Sequence, residues 1–460
     1  MRLFHTPSKI RFRFDDPNLV ALAGLVPVMA LAERCGLAKL AGRLLTVPGS
    51  VGANAGAKVS AIVAGMVAGA DSIEDLDVLR HGAMGRLFAG VRAPSTLGTF
   101  LRALRWGHVR QLEKVVRAVT AALPGQAPVL SDAATYALVD ADSTVRRVFG
   151  YAKQGASYGY TKVKGLHPLL AVVSTPTCAP LVVATRLREG RAAAGRGAGA
   201  FVAEALSAAR VAGATGLVLF RADAAFYAAD VVAACRRAGA HFSITVRMNP
   251  AIHRAIASIP EDAWTPIRYP NAVWDDDEGR YISDAEIAEI GYTAFTGRRT
   301  AEQVTGRLLV RRVRRLNPAC VAQGQGELFA VYRYHAAFTD STLGLVEAEA
   351  THRGHAIIEQ VIADLKNSAL AHLPSGRFTA NAAWLALAAL AFNLTRAAGA
   401  LASRTHARAT TPTIRRHLVA IPARLARSAR GQTLHLPEGW PWHDAATALF
   451  DTLHAPPVAA

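Results

Sequence analysis

Two aspartates, a glutamate and a lysine form the most chemically pointed pattern in this chain. In YALVDADST (136–144), Asp140 and Asp142 alternate with apolar residues, so on a strand both fall on one face. GLVLFRAD (216–223) reads as a buried strand closing on Asp223. In THRGHAIIEQVIADLKNSAL (351–370), helical spacing brings His352, His355, Glu359 and Lys366 to one side. Ile358, Val361, Ile362 and Leu365 make an apolar stripe on the other. Carboxylates converging on a sheet edge are hard oxygen ligands, better suited to Mg²⁺ or Mn²⁺ than to zinc. Two such ions roughly 3.5–4 Å apart can hold the attacking and leaving oxygens of an in-line phosphoryl displacement. Without a cation, three crowded carboxylates raise one another's pKa. Lys366 could reach a DNA phosphate, and His352 and His355 could do the same or position a scissile strand. Spacing does not choose between Asp140 and Asp142. Asp223 also fits a plain N-cap for a helix starting near 226, and the four-residue helix face fits a solvated charged surface.

The elements that must position these groups follow in order. After YALVDADST come two strands, LLAVVST and PLVVATRL, joined around Pro176 and Pro180. A helix at 199–213, the strand ending at Asp223, a helix at 226–239 and a strand at 241–248 complete the series. This is the order of an RNase H-like core: an α/β fold with a mixed five-stranded sheet and flanking helices. Its first three strands form a meander, and strands four and five are added in parallel by right-handed crossovers. Asp142 and Asp223 then lie on neighbouring strands, at the ends where such sheets place their sites. Residues 249–345 read as a β-rich insertion, with an acidic knot at 274–279 and strands at 289–296, 307–315 and 328–338. The 351–370 helix closes the core, and AAWLALAALAFNL (382–394) packs behind it. The expected division is a helical DNA-binding domain (1–128, ending in a PGQAP linker), the core (129–248), the insertion (249–345), the closing helices (346–400) and a basic C-terminal region (401–460).

Composition agrees with a nucleic-acid partner. The chain has 460 residues, is 51% hydrophobic and 19% charged, and carries a net charge of +18. Such a balance describes a folded protein facing a polyanion, although an Ala/Arg-rich coding bias also produces it. The stretch 93–119 opens on Pro94 and Ser95 as a helix start, with Thr96 as a possible cap, and gathers Arg102, Arg105, Arg110 and Lys114 on its polar side. A Gly/Tyr/Lys-rich stretch at 150–168, containing Lys162 and Lys164, is too polar for a core. From Arg396 to Arg430 there are eight arginines, among them Arg415 and Arg416, and no acid, which suits phosphate contacts with counterion release. The four cysteines include no CxxC pair, so neither a usual zinc spacing nor a disulfide framework is expected. The start lacks the pattern of a signal peptide, and the apolar runs break before membrane-spanning length, so a soluble cytoplasmic protein is expected. There is no GxGxxG turn and no P-loop, which argues against a small-molecule enzyme.

DADST, RADAAFY and HRGHAIIEQVIADLKN together resemble the three catalytic blocks of bacterial insertion-sequence DDE transposases. More closely, the chain is similar to the cut-and-paste group with a β-strand insertion, in particular insertion-sequence family thirteen-eighty. That group has a signature of Tyr, two residues, Arg, three residues, Glu, six residues, Lys. Here Glu359 and Lys366 match and the spacing is kept, while His352 and His355 stand at the Tyr and Arg places. Arg353 is a candidate substitute charge. The resemblance implies that Asp142, rather than Asp140, joins Asp223 and Glu359 as catalytic ligands of two Mg²⁺ or Mn²⁺ ions. It implies an enzyme that binds the terminal inverted repeats of its element, cuts there and joins the 3′-hydroxyls to target DNA, as a homodimer in a synaptic complex. Some members form a hairpin and hold a flipped base on an aromatic wedge from the insertion; Trp264 and Trp274 are the candidates here. The other readings are an RNase H-like nuclease that cuts without joining, and a non-catalytic DNA-binding relative.

Overall fold

A computed structural model describes residues 4–159, 161–193, 195–269, 274–276, 280–281, 285–314, 332–452 and 454. The chain enters through a short strand, β1 (Leu19–Val20), and six helices: α1 (Leu25–Arg34), α2 (Leu37–Leu44), α3 (Ala55–Ala68), α4 (Met84–Leu87), α5 (Pro94–Ala103) and α6 (Trp106–Ala122). The basic 93–119 stretch is therefore two helices. Leu104 and Arg105 turn extended between them, and the Arg105 N–H donates to His108 Nδ1 at 3.1 Å to start α6. Pro94 takes the first position of α5, where its missing N–H costs nothing, and Ala93 rather than Thr96 is the cap.

The sheet follows: β2 (Tyr136–Ser143), β3 (Arg146–Arg147), β4 (Ser157–Tyr158), β5 (Lys164–Ser174), β6 (Leu181–Glu189), β7 (Leu217–Ala222) and β8 (His241–Val246), with α7 (Ala198–Val211) before β7 and α8 (Ala229–Arg237) before β8. Strands β2, β5 and β6 form an antiparallel meander, and β7 and β8 join β2 in parallel, giving the order β6–β5–β2–β7–β8. β5 is buried along nearly its whole length, as a central strand covered on both faces should be.

After α9 (Pro250–Ala257) come β9 (Thr265–Ile267), the small hairpin β10 (Trp274–Asp275) and β11 (Arg280–Tyr281), then β12 (Ala285–Ala294), β13 (Val304–Arg314) and β14 (Tyr332–Thr339). The strands expected as an insertion extend the core sheet. β14 pairs antiparallel with β8, and β13, β12 and β9 continue outward to make one sheet of 11 strands. Part of the acidic knot (277–279) and the start of the 328–338 strand lie outside the described residues.

The closing segment is α10 (Leu345–Arg353), a 3₁₀ turn (Gly354–Ala356), α11 (Ile357–Lys366) and the long α12 (Phe378–Ala402). The 351–370 stretch is thus broken at Gly354, where a Cβ would lie 2.9 Å from the Arg221 guanidinium. Beyond it, Ile358, Val361, Ile362 and Leu365 are buried as the periodicity predicts. α12 is long and apolar enough to cross a bilayer, yet here it is buried on nearly every side. Its polar residues bolt it to its neighbours. Asn393 accepts from the Val182 N–H at 2.8 Å and donates to the Val182 carbonyl at 2.7 Å, pairing the backbone of edge strand β6 as another strand would. Trp384 donates to Ala369 O, and Thr379 donates to Leu104 O between α5 and α6. Glu204 on α7 meets Arg110 and Arg117 of α6 and Arg186 of β6, tying the N-terminal helices to the sheet; Arg110 itself stays exposed. The N-terminal helices and the sheet consequently share one core.

The basic C-terminal region is folded onto that core. It runs through α13 (Thr411–Ile414), a π turn (Arg415–Val419), β15 (Ala423–Ser428), β16 (Gly431–His435) and α14 (His443–Asp451). β15 pairs with β1, and Gly24 approaches the Leu418 carbonyl so closely that a Cβ would overlap it. The buried Asp364 of α11 accepts from the Thr411 N–H at 2.8 Å, fixing the start of α13.

Candidate active site

Register on two adjacent strands builds the site. In the parallel pair β2–β7, Asp140 lies opposite Arg221 and Ala141 opposite Ala222, the last pair of the ladder; the next residues are Asp142, still on β2, and Asp223, just past the end of β7. Alternation puts Asp140 and Asp142 on one face of β2, the face on which Arg221 reaches the carbonyl of Thr351. The Asp140–Arg221 rung is a closed ion pair. Arg221 Nε donates to Asp140 Oδ1 at 2.7 Å and Nη2 to Oδ2 at 2.8 Å, and Nη1 donates to the Thr351 carbonyl. Both side chains are buried. Removing either partner would strand a buried charge. Asp140 is thereby fully engaged, and the ambiguity between Asp140 and Asp142 has a physical answer.

Beyond the ladder, Asp142 and Asp223 bring two like charges to adjacent strand ends, which is unfavourable unless something else uses them. Asp142 is half-buried, and its Oδ1 accepts the Ser143 N–H at 2.6 Å. Burial, with the charges of Asp223 and Glu359 adding to it, pushes the Asp142 carboxyl up to about 6. Asp223 is raised as well, mainly by burial, against the opposing Ala225 N–H bond and the charges of His355 and Arg247. Its Oδ1 accepts the Ala225 N–H at 3.0 Å and caps the 3₁₀ turn Ala224–Phe226, whereas α8, the helix it was expected to cap, begins later with Ala228 as its cap; Oδ2 makes no hydrogen bond among the described residues. Glu359 is exposed in the first turn of α11. Lys366, seven residues on, is lowered by burial and by Arg146, with Asp142 pulling the other way.

Asp142, Asp223, Glu359, Lys366 and His355 therefore share one locality. His355 Nδ1–H donates to the His352 carbonyl at 2.7 Å, which turns the rest of the ring toward Asp223 and Asp140. His352 is placed otherwise. Its two ring nitrogens meet Ser243 Oγ at 2.9 Å and Thr245 Oγ1 at 3.0 Å, and burial holds its pKa down at about 3. A neutral ring with both nitrogens engaged offers no phosphate contact; the expected role for His352 is corrected to one of packing α10 on β8. Arg353 bonds Glu349 at 3.2 Å and lies over the Tyr269 ring. Lys162 and Lys164 flank the turn into β5, away from the carboxylates along the rim, and Arg102 and Arg105 are exposed near the α5–α6 break. Arg415 is half-buried against Gly69, whereas Arg416 is exposed. Trp264 is only 8% exposed with the Arg312 guanidinium 4.2 Å above it, so it is a core residue rather than a wedge; Trp274 is half-exposed.

Three residues that bear on the site carry no conspicuous signal in the sequence. Arg221 anchors Asp140, Arg247 follows β8 and bears on Asp223, and Gly354 makes room for Arg221. The RAD triplet of the fourth strand is the one hint of Arg221, since alternation puts it on the same face as Asp223.

Among the described residues, no three His, Cys, Asp or Glu side chains already stand as a closed cation cage. The donor set nevertheless fits a hard divalent cation: carboxylates at two adjacent strand ends and on one helix, with the pKa of Asp142 raised by burial and further by the charges of the other two. These features define the class, a mixed α/β protein with a carboxylate-rich site at the carboxyl ends of two parallel strands. The chain matches the family described as Transposase DDE domain group 1 over residues 4–457, and it belongs to that family. No curated protein matches the sequence.

Proposed function

We propose that this protein is a DNA transposase with an RNase H-like core that cuts DNA at the terminal inverted repeats of its element and joins the freed 3′ ends to target DNA. The family supports transposase function, and the observation that carries the finer reading is Asp142 and Asp223, each one residue past the last β2–β7 pair, with Asp223 and Glu359 both bearing on Asp142. Asp142, Asp223 and Glu359 would hold two Mg²⁺ or Mn²⁺ ions. Such ions supply Lewis-acid activation of the attacking oxygen and neutralise charge on the leaving oxygen. The chain's own groups complete the site. Lys366, beside Asp142, is placed to contact a phosphate of the strand being cut. His355, held by its Nδ1–H bond, presents its other nitrogen at the Asp223 side, and Arg247 offers a second cationic group there. The Arg221–Asp140 clamp ties β2 and β7 to the end of α10, so the two strand-end aspartates keep their register when charged DNA enters. The net charge of +18 suits binding of a polyanion.

The test is cleavage of a DNA fragment bearing the element's own ends in the presence of Mg²⁺. Asp142→Asn, Asp223→Asn and Glu359→Gln should each abolish cutting while end binding stays near wild type. A variant that still cuts at the normal rate removes its residue from the ligand set, and three such variants refute the proposal.

A further inference from the structure

Beyond Asp142 the sheet rim carries a group of exposed aromatic rings that the carboxylate site does not use. Phe149 is 66% exposed, Tyr151 103% and Tyr158 67%. They stand on the segment between β2 and β5 that includes β3 and β4. The β2–β3 arm runs along β5 in unbroken register, from Asp142 opposite Leu170 to Arg147 opposite Gly165. Seven residues separate Asp142 from Phe149, a span of at most about 23 Å of extended chain. Arg146, inside that span, is the residue whose charge bears on Lys366.

Charge around the rings is of one sign. Between Ser143 and Arg188 there is no acidic residue, while Arg146, Arg147, Lys153, Lys162 and Lys164 all fall beside the rings. Arg146 and Lys153 are spent on the Ala371, Leu373 and Ser375 carbonyls, which pin the segment to the α11–α12 connection. Arg147, Lys162 and Lys164 line an open groove of about 460 Å³ together with Phe149, Tyr151 and Tyr158. The Arg147 guanidinium lies 5.1 Å over the Phe149 ring, a cation on an aromatic face.

Exposed rings interleaved with cations are the composition that binds unpaired nucleic acid, because bases stack on aromatic faces while the phosphates meet the cations. Duplex DNA shows only base edges in its grooves and cannot stack there. A second copy of this chain would bring the same cations to the same place. We infer that Phe149, Tyr151 and Tyr158 form a stacking platform for an unpaired stretch of the DNA strand leaving the carboxylate site. This inference rests on the proposed DNA-cutting function and adds to it the state of the DNA beside the cut.

The test uses the full chain in metal-free buffer, reading binding alone. The probes are a blunt oligonucleotide duplex and the same duplex with a short single-stranded tail carrying 2-aminopurine. Wild type should bind the tailed duplex about tenfold more tightly than the blunt one and change the 2-aminopurine fluorescence. Tyr151→Ala and Phe149→Ala should lose that preference and that fluorescence change with blunt-duplex affinity unchanged, and Tyr151→Trp should keep both. Phe149 and Tyr151 are exposed, so neither substitution removes a core residue, and unchanged circular dichroism checks that the fold is intact. Alanine variants that keep the wild-type preference overturn the inference while leaving the cutting reading intact. So does a loss of self-association by sedimentation with DNA preference unchanged, which would assign the rings to a second copy. Wild type that binds neither probe overturns the DNA-cutting reading and this inference with it.

Discussion

Asp142 is less stable in its folded setting than in an open chain, and that is measurable. An acid whose pKa is higher in the folded protein holds its proton longer there, so stability falls as pH rises between the two values. For Asp142 the interval runs from the ordinary 3.8 to about 6. The penalty is complete above that interval, and Asp142→Asn removes it. Metal-free Asp142→Asn should therefore be more stable than wild type at pH 7.5, by at most about 3 kcal/mol, with the gain gone below pH about 4. Thermal melts across this range check it; a variant no more stable at pH 7.5 would mean that the carboxylate is not under strain from its neighbours. Much of this site was legible in the chain. The Asp142 and Asp223 blocks each end a hydrophobic run, and the Glu359–Lys366 spacing survives in α11. The Asp140–Arg221 clamp was not legible, because it depends on the register between strands some eighty residues apart. Nor was the neutral role of His352, which depends on two hydroxyls of β8.

At the scale of elements, the order of strands and helices in the core followed from hydrophobic runs and their breaks, although 93–119 became two helices and β5 is longer than the run LLAVVST. The break at Gly354 was hidden, because the apolar stripe of α11 and the polar side chains before it keep helical spacing across the turn. The destination of α12 was equally hidden. Its composition says only that it is buried, whereas Asn393 decides what it is buried against. Asn393→Leu leaves the Val182 N–H and carbonyl without partners in a closed interior. That should cost about 2–4 kcal/mol in urea unfolding, whereas a drop in stability below about 0.5 kcal/mol would show that α12 does not hold the edge of β6. The strands after α9 also differ from expectation. They read as a β-rich insertion, and nothing in their sequence signalled that β14 would add to β8.

For the whole molecule, folding joins parts that composition separates. The arginine-rich C-terminal region looks like a tail, yet β15 pairs with β1 and Asp364 caps α13, so its arginines divide into two kinds. Arg404, Arg408 and Arg416 are exposed, whereas Arg415 is packed at the end of α3. Serine at Arg404, Arg408 and Arg416 together should weaken DNA binding and reduce the slope of log K against log salt by about one for every phosphate that is no longer neutralised. Arg415→Ala should lower the melting temperature and leave that slope alone. An unchanged slope in the triple variant would make this surface a solvated one. The central proposal is that three distant carboxylates meet around cations, and the most direct measurement is to let a cation report its own position. Fe²⁺ substituted for Mg²⁺, with ascorbate and peroxide, cuts the polypeptide beside the bound ion. Backbone cuts are expected at Asp142, Asp223 and Glu359, suppressed by excess Mg²⁺ and abolished in Asp142→Asn. Cuts confined to other segments, or cuts that persist in that variant, would contradict the proposal.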